Sequence, residues 1–225
     1  MEFPDRVGVM ILGECMLFPE TLVPLFIFEP RYRTMLAESL ETHRFFCLAM
    51  QKPGCTRESP SEIAGLGIVR ASQLNENGTS NIVVQGLARI RLGKAVQLKP
   101  YRAHAFEVIE STISDPSVAS GLVDQLLDLV DARLRQGAIQ IPLAMMNLLS
   151  GLCPNQEELT VSDCLTALRR MPNPGTMADM VAMLLLPYPK NRQLILETPL
   201  IEERLMILIR LLTGEVARLQ KKSAT

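Results

Sequence analysis

The chain changes character once, near its middle, and that break constrains its fold more than any other feature. All seven phenylalanines (Phe3, Phe18, Phe26, Phe28, Phe45, Phe46 and Phe106) and two of the three tyrosines precede residue 112. Beyond it the apolar residues are mainly Leu and Met at helical spacing. Aromatic and β-branched side chains suit a pleated, half-buried surface, whereas Leu and Met suit helices. A β-rich domain over 1–112 and a helical domain over 113–225 are expected, joined within Ser111–Ser120 around Asp115-Pro116. A chain of 225 residues is long enough for two such units.

In the first half, Val7–Leu12, Leu22–Phe28, Phe45–Met50 and Leu66–Leu74 read as strands. Asn75-Glu76-Asn77-Gly78 reads as a turn, because Asn and Gly tolerate positive φ. After it, Ile82, Val84, Gly86, Ala88, Ile90 and Leu92 share one face, and Gln85, Arg89 and Arg91 share the other. That period of two marks a half-buried strand, and Tyr101–Glu110 is expected to return beside it. One helix interrupts the strands. Pro30 suits its first position, and Tyr32, Met35, Leu36 and Leu40 form its apolar face. Short strands with turns between them point to a barrel or a strongly bent sheet.

In the second half, Asp115 caps a helix carrying Val118, Leu122, Leu126, Leu129, Val130 and Leu134, which Gly137 ends. Pro142 opens a short helix to Leu149. Thr160–Asp163 and Thr176–Asp179 have capping-box form, and Pro187 and Pro189 stop the helix over Met180–Leu186. Thr198-Pro199 opens the last helix, with Glu202 and Glu203 in its first turns. Short connections favour a compact bundle.

Composition removes several function classes. Lys and Arg number 23 against 24 Asp and Glu, so no net field gathers nucleic acid or anionic lipid. No apolar run approaches the roughly 20 residues of a membrane span, and the N-terminus lacks a signal-peptide pattern. Cys15, Cys47, Cys55, Cys153 and Cys164 are scattered, and with His43 and His104 alone they form no metal-ligand spacing. Reduced thiols in the cytoplasm are the plain expectation. P-loop, GxSxG, HExxH and GxGxxG motifs are absent, so no cofactor and no catalytic residue is expected. Arg89, Arg91, Lys94, Lys99 and Arg102 form the best basic cluster, but no aromatic interleaves them to stack bases. Met177, Met180 and Met183 could form an adaptable peptide surface, although such spacing also suits a core.

The most distinctive stretches are Leu17-Phe18-Pro19 and Pro24-Leu25-Phe26-Ile27-Phe28-Glu29-Pro30-Arg31-Tyr32-Arg33. Read physically, a buried strand runs into a helix, with Glu29 at the helix N-terminus and Arg31 and Arg33 solvated or paired to a loop. Glu29 and Arg33 are then structural. In that order, and followed by Gly65-Leu66-Gly67-Ile68-Val69, Val84-Gln85-Gly86-Leu87-Ala88-Arg89-Ile90 and Pro100-Tyr101-Arg102-Ala103, these stretches resemble the N-terminal substrate-binding domain of the Lon proteases. The helical half matches chiefly at Glu197-Thr198-Pro199. Phe26 stands where the family often has His, and Glu20 where Gly is common after Phe-Pro.

The resemblance implies an α+β fold, a PUA-like β pseudobarrel followed by a C-terminal α-helical bundle. It also implies a stand-alone, bacterial-type Lon-domain protein without the family's ATPase and peptidase. The expected function is non-catalytic recognition of protein or peptide, with unfolded or exposed apolar segments, or a protease or chaperone, as partner. RNA binding, by analogy with other PUA-like folds, is the alternative; no membrane partner is expected. The expected binding residues are Phe18, Pro19, Glu20, Met177 and Met180. Phe18 would stand partly uncovered in a surface turn bordering a groove with one wall from the helical half, and the Pro24–Phe28 strand would be covered on both faces. Backbone hydrogen bonds from a strand edge would assist.

Overall fold

The structure is a computed structural model that describes residues 3–55, 57–136 and 161–223. The expectations for Gly137, Pro142–Leu149, Cys153 and Thr160 lie outside the described residues. The chain divides into two compact units, Met1–Glu110 and Ser111–Thr225.

The first unit holds β1 (Arg6–Leu12), β2 (Leu22–Ile27), α1 (Pro30–Glu41), β3 (Phe45–Met50), β4 (Ile63–Leu74), β5 (Ser80–Gln97) and β6 (Arg102–Ile109). The strand order is β2-β5-β4-β3-β1-β6, and β6 pairs again with β5. The 18-residue β5 makes this closure possible. One of its edges pairs with β4, while the other pairs first with β2, from Ser80 to Gln85, and then with β6, from Arg89 to Gln97. Five strands therefore close into a barrel and β2 extends beyond it. The β1–β3 pair is parallel; the other pairs are antiparallel.

Strand alternation fills the barrel. Val7, Val9 and Ile11 meet Phe45, Cys47 and Ala49, and Ala64, Leu66, Ile90 and Leu92 complete the cluster. Phe3 packs edge-on against Phe45 and Phe106, with centroids 5.4 and 6.4 Å apart. β3 is buried along its whole length, which accounts for its unbroken apolar sequence. On α1, Tyr32, Met35, Leu36 and Ser39 are buried.

The second unit holds α2 (Pro116–Arg135), α3 (Val161–Arg169), α4 (Pro174–Leu185), α5 (Pro189–Glu197) and α6 (Ile201–Ser223). The two long helices, α2 and α6, pack along one another. Asp115 caps α2 as its type and position suggest, accepting from the amides of Ser117 and Val118 at 2.8 and 3.2 Å. Two expectations change. α4 begins at Pro174 and is capped by Asn173, whose Oδ1 accepts from Gly175 N at 2.7 Å, and not by Thr176. Asn-Pro supplies both a cap and a preset first residue, so it starts the helix earlier. Pro189 stops nothing; it is the first residue of α5.

Candidate functional site

The Leu17-Phe18-Pro19 segment is an inner strut. Phe18 is 0% exposed, as are Met16 and Leu17. A Cβ on Gly86 would stand 1.9 Å from the Phe18 carbonyl oxygen, and one on Gly65 would stand 1.9 Å from that of Leu17. Gly67 is crowded too, with Leu17 Cδ2 2.5 Å away. Gly65 and Gly86 let the Leu17–Phe18 backbone lie directly on β4 and β5, and Gly67 leaves room for the Leu17 side chain. Three of the distinctive motifs are thus one packing arrangement, and they mark the fold.

A tight turn follows. Thr21 N donates to Phe18 O at 3.2 Å, with Pro19 second and Glu20 third in the turn. Glu20 has φ of 62°, the left-handed value that a type II turn requires at this place. Gly is favoured there, because it reaches positive φ without steric cost. Glu20 N donates to Gly86 O at 3.0 Å, and Gly86 N donates to Thr21 O at 2.9 Å. This is a β-bulge that aims the chain into β2. Pro19 is half-buried and Glu20 exposed.

The exposure expected of Phe18 is found on β2 instead. Val23 and Ile27 are buried, whereas Pro24 is exposed and Phe26 and Phe28 are 51% and 58% exposed. The two rings stack at 5.9 Å. In register, Pro24 opposes Val83, which opposes Ala71; Phe26 opposes Asn81, which opposes Gln73. These six residues line an open depression of about 470 Å³ with Leu25, Ser72 and Ile82. The expectation that this strand is covered on both faces is corrected. β2 lies outside the closed barrel, so one face meets the core and the other meets solvent.

The Glu29–Arg33 stretch is held by charge. Glu29 makes no side-chain cap; its Oε2 accepts from Arg31 Nε at 2.9 Å, while its backbone oxygen accepts from Arg33 N at 2.9 Å. Arg31 also pairs with Glu58 of the loop after β3 and lies over the Tyr32 ring, 4.4 Å from its centroid. The Glu58 carboxylate, and that of Glu29, raise the Arg31 pKa above its ordinary value. The Tyr32 hydroxyl receives Ile11 N at 3.1 Å, and burial raises its pKa. Arg33 is exposed and its guanidinium packs on Gly78, whose φ is 76°.

A cleft of about 560 Å³ lies beside α1, lined by Arg6, Met35, Glu38, His43, Phe45 and Tyr101 among others. His43 Nδ1 accepts from Phe45 N at 2.9 Å, which puts the proton of the neutral ring on Nε2, and burial lowers its pKa. Tyr101 donates to Glu38, and burial together with that carboxylate pushes its pKa up to about 12. Cys47 is buried in the barrel, and burial pushes its thiol pKa up, away from a reactive thiolate. Among the described residues, no group of three His, Cys, Asp or Glu could hold a metal ion.

Two further expectations are corrected. Met177 and Met180 are 2% and 1% exposed; α4 is buried along most of its surface, so its Met spacing belongs to the core. Arg89 is buried and Arg91 pairs with Glu62 at 3.1 Å, so they do not share an open basic face.

Sequence reasoning missed Arg204. It is 0% exposed. Its Nε donates to Thr198 O at 2.9 Å, Nη1 to Asp179 Oδ1 at 3.3 Å and Gly175 O at 3.4 Å, and Nη2 to Ser111 Oγ at 2.8 Å and Pro199 O at 3.3 Å. The signal was present: Arg204 sits on the helical stripe of Ile201, Leu205 and Leu208, and Asp179 sits between Ala178 and Met180. One charge on each of two apolar faces implies a buried pair.

The family model of the ATP-dependent protease La (LON) substrate-binding domain matches residues 6–214. The Lon protease of Dictyoglomus thermophilum is 27% identical over 97% of this chain and 26% of its own length. Lon protease 2 of Bdellovibrio bacteriovorus is 27% identical over 99% of this chain and 26% of its own. The chain thus spans about a quarter of the length of these relatives. Among solved structures, the N-terminal domain of Mycobacterium avium complex Lon protease superposes with a TM-score of 0.66 at 14% identity, covering 92% of this chain and 98% of that one. A Lon N-terminal domain protein from Xanthomonas campestris gives 0.59 at 15%, covering 91% and 97%. By its sequence match and its α+β fold, this chain belongs to the Lon substrate-binding domain family.

Proposed function

We propose that this protein is a non-catalytic recognition module that binds apolar segments of unfolded polypeptides. The observation that carries the reading is the uncovered face of β2, where Pro24 and Phe26 stand in solvent beside Val83 and Ala71, with Phe28, just past the strand, stacked on Phe26. Exposed aromatics in a contiguous patch mark interaction surfaces. A flat aromatic face selects apolar area, which suits a binder of many sequences. Pro19 and Glu20, at the surface where the chain enters β2, border this face. Phe18, Met177 and Met180 support the fold from within.

The test is fluorescence anisotropy of a labelled, permanently unfolded protein titrated with wild type and with Phe26→Ser/Phe28→Ser. The double variant is expected to keep its melting curve and lose about tenfold or more in affinity. Unchanged affinity removes the face from the site. Binding of single-stranded RNA that survives the double variant and is lost in Arg91→Glu would favour nucleic-acid recognition instead.

A further inference from the structure

β2 ends the strand order, so its outer edge has no partner strand among the described residues. Such an edge ordinarily invites another strand. The ladder fixes which backbone groups face outward. Gly86 N donates to Thr21 O at 2.9 Å, so the Thr21 carbonyl points toward β5. Counting by two along the register, Val23, Leu25 and Ile27 turn their backbone groups toward β5. Leu22, Pro24 and Phe26 turn theirs outward. Proline sits at the middle of these three positions, and it has no N–H.

We infer that Pro24 blocks strand addition at the outer edge of β2, leaving recognition to the side-chain face of Pro24, Phe26 and Phe28. An incoming strand would find donors at Leu22 and Phe26 but the ring methylene of Pro24 between them. Its carbonyl there would lose its partner and meet the ring. The same gap disfavours a symmetric β2–β2 pairing of two copies centred on Pro24, which would set each Pro24 carbonyl against the other copy's proline ring with no donor. The edge-pairing mechanism expected from the sequence is thereby withdrawn, and the aromatic face is kept. The block concerns this chain's own edge; its use in recognition rests on the polypeptide reading above.

The experiment restores the missing donor in the full chain with Pro24→Val, and with Pro24→Ala should the first variant fail to fold. Light scattering over a wide concentration range reads self-association. In parallel, wild type is titrated with an extended apolar peptide and with the same peptide N-methylated at alternate residues, so that either strand edge is disabled in turn. The wild type is expected to keep one mass at all concentrations and to bind both peptides within about threefold. The folded variant is expected to self-associate, to bind the unmethylated peptide about tenfold tighter than wild type, or both. A folded variant with neither gain overturns the inference. So does a tenfold loss of wild-type binding on methylation of one edge. If wild type binds neither peptide, the polypeptide reading falls, and self-association alone decides the role of Pro24.

Discussion

The Phe18 carbonyl oxygen and the α-carbon of Gly86 are so close that a methyl group on Gly86 would stand 1.9 Å from that oxygen. The strut over β4 and β5 exists because position 86 carries no side chain. The contact is with backbone, which cannot rotate away. Gly86→Ala is therefore expected to cost about 3 kcal/mol or more, at or above the upper end of overpacking penalties. Urea unfolding checks it; a change below about 0.5 kcal/mol would show that the strut can shift freely.

Glu20 supplies the complementary case. Its left-handed φ costs a non-glycine residue roughly 1–2 kcal/mol, against about 0.5–1 kcal/mol of extra unfolded-state freedom that glycine brings. Glu20→Gly is expected to leave the protein as stable or more stable by up to about 1 kcal/mol, and Glu20→Val to lower stability. Denaturation midpoints of the two variants are the measurement, and a midpoint for Glu20→Gly clearly below wild type contradicts the account.

In the helical unit, Arg204 and Asp179 form an ion pair at 3.3 Å, with side chains 0% and 2% exposed. Removing one partner of such a pair typically costs about 3–5 kcal/mol. Arg204→Met is expected in that range, and above Asp179→Ala, because it strips the carboxylate and three carbonyls together. Arg204→Lys should rescue little, since one ammonium cannot replace the fork of donors. Thermal unfolding followed by far-UV circular dichroism gives the ranking, and equal costs for Arg204→Met and Arg204→Lys relative to a fully stable Asp179→Ala would locate the effect in the carbonyls alone.

Glu202 makes stability depend on pH. Its Oε1 accepts from the amides of Asp115 and Ser114, both at 2.6 Å, and chiefly the Asp115 amide holds its pKa below the ordinary carboxylate value. A depressed folded-state pKa means that the unfolded state binds the proton first. The stabilisation is then complete above the unfolded pKa of about 4.3 and is lost as pH falls through the lower folded value. Glu202→Gln should flatten the acid limb of the stability curve of the helical unit. An acid limb identical to wild type would remove Glu202 from it.

The six strands, the first helix and the Asp115 cap were legible because each is written in local signals: period-two or period-3.6 apolar residues, a turn of Asn and Gly, a capping Asp before Pro. The site was less legible, since exposure is not a local property. Phe18 and Phe26 are the same residue type in similarly apolar surroundings, yet one is sealed and the other open.

By itself the sequence determined the two structure types, the order of the elements in the β-rich half and the family. The motif glycines Gly65, Gly67 and Gly86 carried that signal, because a missing side chain is demanded by a close backbone approach whatever the neighbours are. Tertiary structure alone decided which aromatic residues face solvent. The length of β5 lets one of its edges serve both β2 and β6, so that β6 closes the barrel and β2 is left outside it. Phe18 is sealed within the strut, whereas one face of β2 is turned outward. Arg204 and Asp179 each stand out locally as a charge on an apolar face, but their joining brings together residues 25 apart in the chain. Long-range pairing of this kind is set by how completed elements pack, and no window of sequence contains both partners.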